Sequence, residues 1–243
     1  MKSLPSTISW QLNRISLRIR KRFFYRIDLG RLDRLYPIST LFGYDRGQPI
    51  DRHYIEGFLL QHKADIHGRV LEVGDNTYTK QFGSGLVEQS DILHVVDGNP
   101  SATIVADIAR ADNIPSASFD CIILTQTLQF VYDLPSAIKH LHRILKPGGV
   151  LLATIPGISQ ISRYDMDRWG EFWRFTTHSA QRLFENHFPK EMVEVEAYGN
   201  VLIAIALLHG LAVEELDPKH LEYRDLDYQV LITVRAVKLK TNN

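Results

Sequence analysis

Apolar residues along this chain form continuous runs and helically spaced sets, and the two kinds of pattern alternate. The continuous runs predict strands at 70–73, 92–96, 103–105, 119–124, 150–155, 193–197 and 229–237. The spaced sets predict helices at 54–62, 79–89, 134–145, 177–188 and 201–211, with loops at 37–53 and 159–174. Strands that alternate with helices are typical of an α/β fold, so we expect a mostly parallel seven-stranded sheet with helices on both faces.

Three local features refine this pattern. The run 119–124 is apolar except for Asp120, as expected for a strand buried on both faces. The helix at 134–145 is followed by the sequence KPGG, which is a strong stop signal. The link between the strands at 92–96 and 103–105 is too short to hold a crossover helix. If these two strands are parallel, that pair must depart from a regular βαβ unit.

The composition is that of an ordinary globular chain. Of its 243 residues 44% are hydrophobic and 23% are charged, and no apolar run approaches the roughly 18–20 residues that span a bilayer. The start of the chain lacks the apolar core of a secretory signal, so we expect a cytoplasmic protein. The single cysteine, Cys121, excludes an internal disulfide and a cysteine-based metal cage. Its apolar neighbours predict a buried, inert thiol.

The formal net charge is zero, but the charge is distributed unevenly. Residues 1–36 hold nine Lys and Arg against two Asp, a net charge of +7, so the remainder carries −7. Apolar residues interleave with the basic ones, a pattern typical of an amphipathic segment that either packs on the domain or contacts an anionic membrane surface. Because the remainder is acidic, we do not expect a nucleic-acid partner. The predicted organisation is a basic arm at 1–36, an entry loop with a lid helix at 37–65 and the main domain at 66–243.

Two motifs indicate a ligand at one edge of the predicted sheet. The run RVLEVG at 69–74 ends a strand on an acidic residue and a glycine, and KPGGVLLATIPG at 146–157 opens another strand after a turn. An open α/β sheet binds a nucleotide-like ligand at the carboxyl ends of such strands. From about residue 66 to residue 157 these motifs, in this order, resemble the class I S-adenosylmethionine-dependent methyltransferases. The resemblance implies a Rossmann-like fold, S-adenosyl-L-methionine as the cofactor and methyl transfer as the activity.

The ends of the predicted strands carry the candidate cofactor ligands that this resemblance implies. Gly74 removes a side chain that would block the approach of the ligand. Glu72 ends the same strand, where a carboxylate can hold the cofactor's amino group or order nearby waters. Asp97, after the second strand, is placed to accept from the two ribose hydroxyls. Asp107 can accept from the exocyclic amine of adenine, with Ile108 beside the ring.

The turn after the first strand departs from the family pattern, which has further glycines there. Asp75 and Asn76 follow instead, and Asn76 tolerates the left-handed backbone that a glycine would adopt. The ring of Tyr78 can lie along the cofactor. We count all three as cofactor ligands. The G-x-G-x-x-G motif of nicotinamide enzymes is absent from the sequence, which argues against a dehydrogenase.

The segment after the fourth strand should run past the sulfonium of the cofactor. Thr125 and Gln126 are its candidate cofactor contacts, and Gln129 can orient the substrate by hydrogen bonds. Relatives often carry histidines where Gln129 and Phe130 stand. Because glutamine cannot act as a base near neutral pH, any general base must come from elsewhere in the chain.

The loop after the fifth strand interleaves aromatic rings with charges, which suits sugars and other polyhydroxylated substrates. Its candidate substrate ligands are Tyr164, Arg168, Trp169, Trp173 and Arg174. Packing of these rings over the edge of the sheet explains the same pattern equally well. With YDRGQPIDRHYIEGF at 44–58, in which Arg46 and Tyr54 are candidate lid residues, this loop resembles a bacterial methyltransferase subgroup that acts on glycans and small molecules.

The candidate general bases are His178, Asp165 and Asp167. The two aspartates are alternatives to the histidine as base or could bind a metal, although no metal site is assigned. The predicted reaction is methylation of oxygen in a sugar, a glycan end or a small metabolite. One alternative is methylation of nitrogen or carbon in another small molecule. The other is a catalytically silent methyltransferase-like binding module that tethers a partner through its basic arm.

Overall fold

The computed structural model describes residues 34–83 and 85–240. The basic arm expected at 1–36 therefore lies almost wholly outside the described residues. Contacts divide the chain into one unit at Met1–Pro37 and a second at Ile38–Asn243. The fold given below is that of the second unit.

The described part of the second unit contains helices and strands that alternate for most of its length. The α-helices are α1 (Ile50–Gln61), α2 (Thr77–Phe82), α3 (Leu134–Ile144), α4 (Arg163–Trp169), α5 (Thr177–Glu185), α6 (Val201–Leu208) and α7 (Pro218–Glu222). The strands are β1 (Gly68–Val73), β2 (Val87–His94), β3 (Ile104–Val105), β4 (Phe119–Thr125), β5 (Leu145–Pro156), β6 (Val193–Tyr198) and β7 (Leu231–Val237).

The strands form one sheet with the order β3-β2-β1-β4-β5-β7-β6. Strands β1 to β5 pair in parallel, whereas β7 runs antiparallel to both of its neighbours, β5 and β6. The predicted α/β fold with a mostly parallel seven-stranded sheet is therefore confirmed. Strands β2 and β3 are parallel, and the described link between them at 95–103 contains no helix. This pair departs from a regular βαβ unit, as its short link predicts.

The sheet is buried on both faces because successive side chains of a strand point to opposite sides. On β4, Ile122 and Leu124 pack into the cluster that contains the buried residues of α3 and α5. Cys121 and Ile123 pack into the opposite cluster, with α1 and α6. All four side chains are completely buried. The predictions of helices on both faces and of a buried Cys121 are confirmed.

The first two helices differ from their predicted bounds. Helix α1 begins at Ile50, directly after Pro49, because Ile50 is fully buried and belongs to the core rather than to a loop. The helix expected at 79–89 is wrong over its second half, where α2 has ended and β2 has begun. Gly83 follows the last residue of α2, at a point where the chain passes too close to β2 to admit a side chain. A Cβ there would lie 2.4 Å from Val87 Cγ2 and 2.6 Å from a backbone oxygen.

Two later segments also differ from the prediction. Strand β5 begins at Leu145 immediately after α3, so the KPGG sequence lies within a strand rather than in a separate turn. A Cβ on Gly149 would lie 2.9–3.1 Å from three backbone oxygens, which shows how closely the chain passes β4 there. The loop expected at 159–174 contains helix α4, because the side chain of Ser162 caps its first turn.

Helix α6 consists entirely of apolar residues. Ile203 and Leu207 are buried against the sheet, whereas Val201 and Leu208 remain exposed. Within the described residues no helix combines the length and the apolarity needed to cross a bilayer.

Candidate functional site

The carboxyl ends of β1, β4 and β5 lie side by side at one edge of the sheet. A cavity of about 530 Å³ lies at this edge, and residues that follow each of these strands line it. Among the residues predicted from the sequence to act in binding or catalysis, those that line the cavity are Asp75, Gln126, Gln129 and Asp165.

Gly74 turns the chain directly after β1. Its φ of +89° lies in the left-handed region, and a Cβ there would meet no heavy atom within 4 Å. Its N–H donates to the carbonyl of Leu93 at 2.9 Å, and its carbonyl accepts from Asn99 Nδ2 at 2.8 Å. Gly74 therefore joins the ends of β1 and β2 and leaves open space in front of the turn.

Glu72 is 2% exposed and its carboxylate holds the start of α2. It accepts from the backbone N–H of Tyr78 at 3.1 Å, and from the N–H and hydroxyl of Thr79 at 2.8 and 2.7 Å. Burial raises the pKa of Glu72, while the hydrogen bonds from Thr79 and Tyr78 oppose that rise. These bonds make Glu72 a positioning residue for the loop after β1.

The three residues that replace the expected glycines take different positions. Asp75 lines the cavity and accepts from the N–H of Thr77 at 2.7 Å. The expectation of a left-handed Asn76 is wrong, because its φ is −124° and its amide donates to Ser90 Oγ on β2. Tyr78 does not line the cavity. Its ring stacks on Phe82, and burial raises its pKa to about 12.

Asp97 and Asp107 stand beyond the ends of β2 and β3. Asp97 is exposed, and its carboxylate has no hydrogen-bond or ion-pair partner among the described residues. Asp107 uses Oδ1 to accept from Ala109 N at 2.9 Å and so caps a short 3-10 helix that begins at Ile108. Ile108 itself is 6% exposed and belongs to the core. Asp97 thus has the freest carboxylate of the predicted cofactor ligands.

The segment after β4 turns back into the cavity. Gln126 has a φ of +45°, and its N–H donates to the carbonyl of Thr154 at 2.9 Å. Gln129 is 4% exposed, and its Nε2 donates to the carbonyl of Gln126 at 3.0 Å. Thr125 ends the strand, and its carbonyl accepts from the hydroxyl of Thr127. Gln126 and Gln129 therefore line the cavity as one hydrogen-bonded pair.

The segment after β5 is held at the cavity by an ion pair in which the carboxylate is buried and the guanidinium is partly exposed. Glu171 contacts Arg174 at 2.6 Å, and its other oxygen accepts from the N–H of Ser162 at 3.0 Å. Arg174 also donates to the carbonyls of Ser159 and Gln160. Arg174, a predicted substrate ligand, therefore binds other residues of its own segment.

Only one of the predicted bases lies in the cavity. Asp165 lines it and accepts from Ser162 Oγ at 2.6 Å. Asp167 is exposed and pairs with Arg163 at 3.2 Å, and His178 is exposed on α5 without lining the cavity. No group of three or more metal-binding side chains is found in the described ranges of the chain.

The predicted acceptor-binding aromatic residues lie around the cavity without lining it. The guanidinium of Arg168 stacks on the ring of Tyr164 at 3.4 Å, and Trp169 meets His94 edge-on at 5.9 Å. Trp173 donates through Nε1 to the carbonyl of Val131 at 3.0 Å. These contacts agree with the alternative reading of this loop as packing over the edge of the sheet.

The two predicted lid residues are engaged elsewhere. Arg46 pairs with Glu215, and its Nε donates to that carboxylate at 2.9 Å. Tyr54 is 4% exposed and its hydroxyl donates to the carbonyl of Leu221 at 3.0 Å, while burial raises its pKa to about 12. Their partners lie far away in the sequence, so no local pattern indicates these contacts.

Sequence reasoning missed several residues that line the cavity. They are Phe42, Tyr44, Ser159, Gln160, Ser162 and Glu171. Phe42 carries a signal visible only in the structure, a φ of +57° in a bulky residue. The sequence identifies the last four only as members of a polar loop.

The match to known families covers the strands that form this site. Residues 69–153 match the family model described as a methyltransferase domain. The stretch runs from β1 to β5 and includes Gly74, Asp97 and Gln129. Residues 69–153 therefore carry a methyltransferase domain.

Curated relatives of this methyltransferase domain are similar over limited stretches. The ubiquinone/menaquinone biosynthesis C-methyltransferase of Haemophilus ducreyi is 33% identical over 91 residues, which cover 37% of this chain and 29% of the relative. The mitochondrial arginine-hydroxylase of Rattus norvegicus is 26% identical over 125 residues, 51% of this chain and 32% of the relative. The aligned chain spans about a third of the length of the curated relatives it matches.

Solved structures show the same fold over most of the chain. The S-adenosylmethionine-dependent methyltransferase of Mesorhizobium loti superposes with a TM-score of 0.52 at 15% identity, covering 78% of this chain and 98% of the other. A methyltransferase of Archaeoglobus fulgidus gives 0.51 at 11% identity, covering 77% and 94%. At these identities the likeness establishes the fold of the methyltransferase domain.

The site of this methyltransferase domain fits S-adenosylmethionine on two observations. The direction of a Cβ on Gly74 is open, which leaves room for a ligand in front of β1. The carboxylate of Asp97 has no partner among the described residues and can accept from two hydroxyls.

Proposed function

We propose that this chain methylates a hydroxyl oxygen of a sugar, a glycan end or a small metabolite, with S-adenosylmethionine as the methyl donor. The observation that carries the proposal is the position of the cavity. It lies at the carboxyl ends of β1, β4 and β5, the strands that the methyltransferase match at 69–153 spans. Ligands of open α/β sheets bind at this edge.

The residues that would hold the cofactor lie along this edge. Gly74 gives it backbone access, Asp97 accepts from the ribose hydroxyls and the free Oδ2 of Asp107 accepts from the adenine amine. When bound, S-adenosylmethionine supplies an electrophilic methyl group on a sulfonium. The task of the chain is then to align the acceptor with that methyl group and to exclude water.

Asp165 is the base that the geometry favours. It is the one predicted base that lines the cavity, and Ser162 Oγ fixes its Oδ2 at 2.6 Å. We assign to its Oδ1 the proton of the acceptor hydroxyl, because no described group uses that oxygen. The clamp formed by Glu171 and Arg174 keeps the segment that carries Asp165 over the cavity.

A carbon acceptor is the second candidate. Two curated relatives are named as C-methyltransferases of ubiquinone and menaquinone biosynthesis. The polar lining of the cavity supports oxygen instead, since side-chain amides, hydroxyls and carboxylates suit a hydroxylated acceptor. Fragmentation of the methylated product in a mass spectrometer separates the two, because an O-methyl group is lost with its oxygen.

The first test is calorimetric titration of the protein with S-adenosylmethionine and S-adenosylhomocysteine. We expect Asp97→Asn to weaken both by at least about tenfold, because a pair of hydrogen bonds to a carboxylate is lost. Glu88→Gln is the matched control. Glu88 is an exposed carboxylate near the amino end of β2, whereas Asp97 follows the carboxyl end of the same strand.

The result that supports the proposal is binding of both ligands that the Asp97 change weakens and the Glu88 change leaves intact. Absence of binding to either ligand would overturn the enzyme assignment and favour the silent binding module. If the Asp97 and Glu88 variants bind equally well, Asp97 is not a cofactor ligand, although the protein still binds the cofactor.

A further inference from the structure

Two glutamine side chains at the cavity carry buried carbonyl oxygens without a partner. In the described part of the chain neither Gln129 Oε1 nor Gln160 Oε1 accepts a hydrogen bond. Gln129 follows β4 and Gln160 follows β5, so two separate segments bring them to one cavity. Buried polar atoms are nearly always paired in folded proteins, so two unpaired oxygens at one cavity indicate a position where a ligand binds.

The contacts of Gln129 fix which end of its amide is the acceptor. Its Nε2 lies 3.0 Å from the carbonyl of Gln126 and 3.2 Å from Gln126 Oε1. Both partners are acceptors, so the nitrogen must face them and the orphan must be the carbonyl oxygen. Only a hydrogen-bond donor can satisfy that atom.

The charges around these two oxygens are negative. Asp51, Asp75 and Asp165 line the cavity, and no Lys or Arg among the described residues lines it with them. The fourth carboxylate, Glu171, is balanced by its ion pair with Arg174. Burial raises the pKa of Asp51 and so disfavours its charge. An anionic group that entered the cavity would still face the carboxylates of Asp75 and Asp165 without a compensating cation among the described lining residues.

Aromatic rings complete the lining. Phe42, Tyr44 and Phe130 present apolar surface to the cavity. Phe42 is held at a φ of +57°, and the neighbouring turn is fixed by Gly43, where a Cβ would lie 2.8 Å from the carbonyl oxygen of Leu211. Strained backbone of this kind persists where surrounding structure requires it, often at binding sites. Ring faces suit the C–H faces of sugars and also cations.

We propose that the methyl acceptor is a polyhydroxylated or amino-hydroxylated compound with no anionic group, and that Gln129 and Gln160 select it. Their two carbonyl oxygens accept from two adjacent donor groups of the acceptor. The carboxylates reject phosphorylated and carboxylated analogues. This inference rests on the proposed function and narrows its substrate class.

The test uses glucose and two derivatives that each carry one charged substituent, a cationic amine or an anionic carboxylate. Glucosamine, glucose and glucuronate are titrated into the full chain saturated with S-adenosylhomocysteine, and binding is followed by ligand-observed NMR. We expect glucosamine and glucose to bind, glucosamine more tightly, and glucuronate to bind at least about tenfold more weakly than glucose. Equal or tighter binding of glucuronate overturns the inference.

Two variants connect this selectivity to the glutamines. Gln129→Met and Gln160→Met remove the carbonyl oxygen while keeping a side chain of similar length. Each should weaken glucose binding by about three- to tenfold, the equivalent of one lost hydrogen bond. Gln181→Met is the matched control, since Gln181 lies on α5, bonds to Glu185 and does not line the cavity.

Every outcome decides the question. Wild-type glucose affinity in both glutamine variants overturns the role of these residues, and if Gln129→Met does not fold, Gln160→Met alone gives the answer. Binding of S-adenosylhomocysteine without binding of any hexose overturns this inference and leaves the proposed function standing. Failure to bind S-adenosylhomocysteine overturns both.

Discussion

Gly74 and Gln126 stand at the ends of the neighbouring strands β1 and β4, and both have a positive φ. Glycine adopts its φ of +89° freely, whereas Gln126 at +45° carries about 1–2 kcal/mol of strain. The hydrogen bond from Gln126 N to the carbonyl of Thr154 holds that conformation. The strain fixes the direction in which the Gln126–Gln129 pair enters the cavity.

Replacing Gly74 tests whether the open space before β1 receives the cofactor. We expect Gly74→Ala to lower the free energy of unfolding by about 1–2 kcal/mol, because alanine is strained at this φ. We also expect weaker binding of S-adenosylmethionine, because the new methyl group projects into the open space. Urea unfolding and calorimetry measure the two effects separately.

Gly85→Ala is the control for that experiment. Gly85 has a φ of +75°, and its Cβ direction is equally open, but it lies before β2, away from the carboxyl edge. Its replacement should cost similar stability and leave cofactor affinity unchanged. If the two alanine variants bind S-adenosylmethionine equally well, the cofactor does not occupy the space at Gly74.

At the scale of the element, helix α2 is short and depends on a carboxylate from outside itself. Glu72 on β1 accepts from two N–H groups and one hydroxyl in its first turn. First-turn N–H groups have no partner within their own helix, so an external acceptor stabilises them. The strand therefore fixes the helix, and with it the turn at Gly74.

We expect Glu72→Gln to lower the free energy of unfolding by about 1–3 kcal/mol, because an amide NH₂ would face backbone donors. The loss should also depend on pH. Burial raises the pKa of Glu72 in the folded state above its ordinary value of 4.5. Folding therefore favours the protonated form, and this stabilisation is complete below pH 4.5 and lost as the pH rises through the raised pKa.

The measurement is urea unfolding of both proteins from pH 4 to pH 8. The advantage of the wild type over the glutamine variant should be larger at the acidic end, since the variant has no group to titrate here. Thr79→Ser, which keeps the hydroxyl donor, should follow the wild-type pH dependence. An advantage that grows with rising pH would contradict this account.

Helices and strands that are determined by the local spacing of apolar residues were predictable from the sequence. Strand β4 is a largely apolar run interrupted by Asp120, and α3 shows helical spacing with a clear stop. The prediction of a helix at 79–89 was wrong over its second half, where the chain turns at Gly83 and passes close to Val87 at the start of β2, a contact that spacing does not reveal. Helix α4 was missed because its residues are polar and its cap, Ser162, resembles a loop residue.

The site was predictable where backbone topology decides it. The carboxyl ends of parallel strands lie at one edge of the sheet whatever side chains they carry, and Asp75, Gln126 and Gln129 accordingly line the cavity there. Side chains whose partners are distant were not. Arg46 pairs with Glu215, and Tyr54 bonds to Leu221, so neither is free to form a lid.

At the scale of the whole molecule, Cys121 lies in the central strand between the two core clusters and is completely buried. Burial also raises the pKa of its thiol. We expect a maleimide reagent to label it only through global unfolding. Saturation with S-adenosylmethionine at a hundredfold excess over Kd should slow labelling about 100-fold, because the ligand stabilises the folded state by about 2.7 kcal/mol.

Protein unfolded in urea is the reference and should be labelled at the rate of a free thiol. Fast labelling in native buffer would show that β4 opens locally and would contradict a single cooperative core. If labelling is slow but S-adenosylmethionine does not slow it further, binding of the cofactor does not stabilise the core that contains Cys121.

Strand β7 lies between β5 and β6, although it follows both along the chain. During synthesis, β6 therefore emerges from the ribosome before the only described strand with which it pairs. Until residues 231–237 emerge, β5 and β6 each present an unpaired edge that another nascent chain can join. The speed of translation across this interval sets how long the unfinished sheet is exposed to aggregation.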